Sequence, residues 1–82
     1  MNARPRTSDA LETLLYDECE NAIKQARFGQ IDNIIARRYL LERVAQIDIA
    51  AEIGYTRSAF SRRLPYIVER LEEVAGRLGY LD

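Results

Sequence analysis

The chain has 82 residues, 48% of them apolar, with 12 basic and 13 acidic side chains, one cysteine and no histidine. This is the size of one small domain with enough apolar material for a core, which argues against wholesale disorder, and a single cysteine excludes an internal disulfide. A zinc site built from Cys and His lacks its ligands and a nucleophilic triad lacks its His base, so neither an enzyme nor a bound cofactor is expected.

No apolar run approaches the roughly 18 residues of a membrane span, and no basic stretch followed by an apolar one opens the chain. The expectation is a protein of a reducing, cytoplasmic compartment with no membrane partner. Net charge is −1, but it is unevenly spread. Residues 1–26 carry three basic and five acidic side chains, residues 27–66 seven arginines and four acids, and residues 67–82 two arginines and four acids. A basic middle between acidic flanks suits a nucleic-acid partner. Ordinary solvated helix faces are the plainer account of the same charges.

The opening MNARPRTS is polar, holds Pro5 and has no periodicity, so residues 1–8 read as a flexible tail and residues 9–82 as one helical domain. Asp9 followed by Glu12 predicts a helix start, with Asp9 as the cap. Behind it Leu11, Leu14, Leu15, Cys19, Ala22, Ile23 and Ala26 recur at three and four, one apolar stripe on one helix. Gly29 is placed to end that helix in the left-handed conformation. Cys19 lies on the stripe and reads as a small core residue.

A second helix fits residues 31–42 or 31–43, with Ile31, Ile34, Ile35 and Leu41 as its apolar set and Arg37, Arg38 and Arg43 on or beside its exposed face. A third, short helix fits 46–53, with Ile49, Ala50 and Ile53 inward and Gly54 as its stop. Thr56 then caps a fourth helix, which Phe60 and Leu64 anchor to the core. Pro65 removes a hydrogen bond inside a helix and none at a first position. A bent continuous helix and a break near Leu64 both accommodate it, and a break or sharp kink is favoured. Beyond it Tyr66, Ile67, Leu71, Val74, Ala75 and Leu78 mark a last helix that Gly79 ends. With no strand-like alternation and no repeat, the fold class is all-α: a small bundle of about five helices.

Residues 46–64, QIDIAAEIGYTRSAFSRRL, meet the demands of a helix-turn-helix in order. A small residue is needed where the two helices cross, and Ala50 is there. The turn needs a residue at ease with positive φ, and Gly54 follows four positions later. Tyr55 can fill the space under the turn, Thr56 can cap, and Phe60 can pin the second helix inward. With Phe60 inward, Arg57, Ser58, Ser61 and Arg62 face out from the half of the helix that would enter a DNA major groove. Arginine pairs bidentately with guanine, and serine can donate to or accept from several base edges. Arg63, with Arg37, Arg38 and Arg43, would neutralise phosphates and position the protein.

The stretch IARRYLLERVAQIDIAAEIGYTRSAFSRRLPYIVERLEEVAGRLG, residues 35–79, resembles the helix-turn-helix of sigma factor region 4. More narrowly it is similar to small phage regulators of the ArpU/RinA type. The resemblance implies a transcriptional regulator of phage or prophage genes in a bacterial host cell, with Thr56, Arg57, Ser58, Ser61, Arg62 and Arg63 touching double-stranded DNA. An alternative keeps the fold as a protein-interaction module that binds RNA polymerase or another regulator without reading DNA. The acidic side chains of the first helix favour that alternative. A homodimer is also expected, because one recognition helix reads only a few base pairs. The stripes on Leu11–Leu14–Leu15 and Ile67–Leu71–Val74–Leu78 look larger than a short bundle buries.

Overall fold

The computed structural model of the chain describes residues 9–81. The expected tail at 1–8 and the side chain of Asp9, with its capping role, lie outside the described residues. Five α-helices follow one another: α1 (Asp9–Glu12), α2 (Tyr16–Ala26), α3 (Gln30–Ala36), α4 (Gln46–Ile53) and α5 (Arg57–Arg77). A π-helical segment, Arg37–Leu41, continues α3. There is no strand among the described residues. The all-α expectation therefore holds, and the differences lie in where the helices stop.

One long first helix was expected, and two are found. The Thr13 hydroxyl donates back to the Ala10 carbonyl at 2.7 Å, and Glu18 Oε1 accepts the backbone N–H of Leu15 at 3.0 Å, starting α2. A carboxylate that meets an orphan N–H stabilises a fresh helix start there. Leu11 then stays in the core, while Leu15, extended at the junction, is 68% exposed. The expected stop at Gly29 is also displaced. Arg27 takes the left-handed conformation (φ 56°) after α2, and Gly29, at φ −65°, precedes α3.

The second predicted helix is α-helical only to Ala36 and widens over the next turn, where the Glu42 N–H reaches the Arg37 carbonyl five residues back at 3.0 Å. An α-helix would place Leu40 roughly 140° around the axis from buried Ile35. The wider turn narrows that angle, and Tyr39, Leu40 and Leu41 all pack against the core. Ile31, expected inside, is among the exposed apolar residues.

Of the break or sharp kink expected at Pro65, the break does not occur, because α5 runs through it. The missing N–H would have bonded to the Ser61 carbonyl, and both Ser61 and Pro65 are exposed, so water can satisfy that group. Phe60 and Leu64 before the proline, and Ile67, Val68 and Leu71 after it, are buried in one cluster with Ile23, Ile35 and Ile49. Burial on both sides of Pro65 holds the helix as one piece. α5 packs most extensively against α2 and also meets α1, α3 and α4, so it is the axis of the domain.

Helices α4 and α5 end in the same way. At the first stop Gly54 (φ 76°) donates to Ala51 and Tyr55 donates to Ala50; at the second Gly79 (φ 82°) donates to Gly76 and Tyr80 to Ala75. These are two Schellman motifs, each satisfying two orphan carbonyls and folding a tyrosine back onto the core. Their sequences, AAEIGY and AGRLGY, share the alanine, the glycine and the tyrosine in register.

Candidate nucleic-acid interface

The turn between α4 and α5 is built as expected. α4 spans Gln46–Ile53 with Ile49 and Ala50 buried, and Gly54 stops it in the left-handed conformation. Thr56 is extended, and its side-chain oxygen accepts the Ala59 N–H at 3.0 Å. Phe60 and Leu64 are 2% and 3% exposed, so they set the rotation of α5 about its axis. On the remaining surface Arg57, Ser58, Ser61 and Arg62 are all exposed. Arg62 lies on the side opposite the buried stripe, and Arg57 stands in the first turn, whose leading N–H groups also point outward.

The arginines divide into two groups. Arg63 donates Nε–H to Asp32 Oδ1 at 2.8 Å and a second N–H to Oδ2, a bidentate pair between α5 and α3. Its guanidinium also lies over the Tyr66 ring, 4.6 Å from the centroid. Asp32 is only 8% exposed and is the one buried charged residue among those described. A buried carboxylate demands such a partner. Arg38 donates to Glu52 through Nε and Nη2 and to both carboxylate oxygens of Glu42 through Nη1, at 2.8–3.2 Å, which ties the π segment to α4. Those bonds hold Arg38 above the usual guanidinium range and Glu52 below the usual carboxylate range. Arg37 pairs with Glu20 of α2 at 3.4 Å.

Arg57, Arg62 and Arg43 have no ion pair among the described residues. Of the four arginines expected to neutralise phosphates, Arg37, Arg38 and Arg63 therefore each have a carboxylate partner within the chain, with side chains 36–43% exposed. Arg43, left-handed at φ 57° and exposed, borders a separate groove with Leu11, Tyr16 and Tyr39, away from the start of α5. The structure brings Arg57 and Ser61 together with Gln46 and Ile47 of α4 along one cleft. Ile47 is 63% exposed, an apolar side chain that the sequence reading passed over. Its signal is phase: it falls off the Ile49–Ala50–Ile53 set by a third of a turn.

The outward charge of α5 changes sign along its length. Residues 57–63 hold three arginines and no acid, whereas Glu69, Glu72 and Glu73 follow Pro65. Only the first two turns can approach a polyanion without repulsion. Elsewhere, Cys19 is buried, and burial pushes its thiol up against a smaller opposing pull from Arg43, so it stays a neutral core residue. Among the described residues no three acidic or cysteine side chains gather to hold a metal ion, and no helix is long and apolar enough to cross a membrane. Comparison with family models, with curated proteins and with solved structures finds no match to this chain.

Proposed function

We propose that the protein is a sequence-specific DNA-binding regulator of transcription that reads the major groove with the first two turns of α5. The observation that carries this reading is that Arg57 and Arg62, beside Ser58 and Ser61, are exposed and have no ion pair among the described residues, on a helix start free of acids. Arginine and serine there can meet base edges, while the leading N–H groups of α5 and the Thr56 hydroxyl can meet a phosphate. The resemblance of residues 35–79 to phage regulators supplies the expectation that the targets are phage or prophage genes.

A homodimer remains part of the proposal on grounds of site length alone. The apolar surplus that suggested it is mostly consumed inside the chain, with Leu11, Ile67, Leu71 and Val74 all buried. The second reading, docking on RNA polymerase or another regulator without DNA, draws support from Leu15 and Tyr16, which are 68% and 58% exposed at the α1–α2 junction.

Selection of bound sequences from random duplex DNA, followed by a salt titration on the winner, tests the proposal. A recovered site with steeply salt-dependent affinity is expected, because phosphate neutralisation releases counterions. Half-sites about one helical turn apart, with light scattering near twice the chain mass, would support the dimer. Recovery of no preferred sequence would leave the protein-docking reading standing.

A further inference from the structure

Ile47 is the feature that the reading above leaves unused. It is the most exposed large apolar residue of α4 and α5, at 63%, and nothing in the described fold covers it. Its neighbours are polar and pointed: it lines the α4–α5 cleft with Gln46, Arg57 and Ser61. Arg57 and Ser61 are two of the four side chains placed to meet base edges. A branched apolar group beside them would enter the major groove with them. The apolar group that the groove offers is the C5-methyl of thymine, which distinguishes a T·A pair from the other three.

We infer that Ile47 is a specificity-determining residue that packs on a thymine methyl next to the base pairs contacted by Arg57 and Ser61. The inference rests on the DNA-reading proposal and extends it from hydrogen-bonding side chains on α5 to an apolar contact from α4. The opposing charges nearby do not forbid it. Asp48 and Glu52 also belong to α4, but Glu52 is held by Arg38 and neither lines the cleft. Burial of one methyl group in the interface predicts about a fourfold gain in affinity for thymine over a base that lacks it.

The test uses the full chain and the duplex recovered by selection. Each thymine of the site is replaced in turn by deoxyuridine, which differs only in lacking the methyl group, and the dissociation constant is measured. One or two positions should lose about fourfold with the wild-type chain. Ile47→Ala should bind the thymine and deoxyuridine duplexes alike at those positions, with an unchanged Tm because the side chain is exposed. Ile47→Val, which keeps the branch, should retain part of the sensitivity. A wild-type chain that selects a site but is indifferent to every deoxyuridine overturns the inference and leaves the DNA proposal intact. An Ile47→Ala chain with the full wild-type deoxyuridine profile overturns it as well. Failure of the wild-type chain to select any sequence removes both together.

Discussion

Arginine has opposite fates on the two sides of the turn. In the π segment Arg37 and Arg38 are held by Glu20, Glu42 and Glu52, whereas at the start of α5 Arg57 and Arg62 stand exposed without an ion pair among the described residues. The residue type is the same, and what differs is the supply of carboxylates. Glu42 lies one turn beyond Arg38, and packing of α4 brings Glu52 across to it. α5 has no acid until Glu69, by which point the chain has run beyond Pro65. The number of arginines in a basic stretch therefore overstates its capacity for a polyanion. The available charge is the part that the fold leaves unpaired.

The largest expected effect comes from removing the free arginines. Arg57→Ala or Arg62→Ala should each weaken binding to the selected duplex by about 5- to 150-fold, the worth of a good base contact at ~1–3 kcal/mol. Thermal melting should not change. A lowered Tm with intact binding would place these two residues with the structural arginines and erase the comparison.

Next is the turn that aims the free pair. A Cβ at Gly54 would meet no atom within 4 Å apart from its chain neighbours, so the cost of Gly54→Val is chiefly conformational. Holding a β-branched residue at φ 76° costs about 1–3 kcal/mol and lowers Tm by several degrees. Gly54→Asn, more at ease in the left-handed region, should cost visibly less. Equal losses for the two variants would mean that the glycine serves something other than its backbone conformation.

Arg63→Ala and Arg38→Ala sharpen the other side. Both should lower Tm, Arg63→Ala more, because it strands Asp32, which is buried. Neither should change the slope of affinity against salt, since neither charge is free to release counterions. A flatter slope in Arg63→Ala, read by the same titration, would return Arg63 to the group that meets phosphate.

The smallest effect is a pH dependence. The hydrogen bond from Arg38 lowers Glu52 in the folded chain below its ordinary value. A carboxylate lowered in this way adds stability that is complete above the unfolded value, about 4.3, and is lost as pH falls through the lower folded value. The Tm gap between wild type and Arg38→Ala should thus be constant above about pH 5 and shrink below it. The gap should stay small throughout, because Glu52 and Arg38 are both near the surface. A gap that widened in acid would show that the pair is not what separates the two chains.

Residues 46–60 were legible in the sequence almost position by position, and the reason is range. A helix stop at Gly54, a cap at Thr56 and an anchor at Phe60 each depend on φ preferences and hydrogen bonds spanning four residues or fewer. Those interactions are written where they act. The π turn at Arg37–Leu41 and the unbroken passage of α5 through Pro65 depend instead on what the far surface buries. A local penalty can be overridden when apolar side chains on both sides enter one core. The same holds for charge. Sequence alone placed Arg62 among the side chains that meet bases and Arg63 among those that meet phosphates, both without a carboxylate partner. Only the approach of α3, which carries Asp32 to within 2.8 Å of Arg63, separated a structural arginine from a free one. Ion pairing is decided by distances between residues 31 apart in the chain, and those distances exist only once the helices have packed.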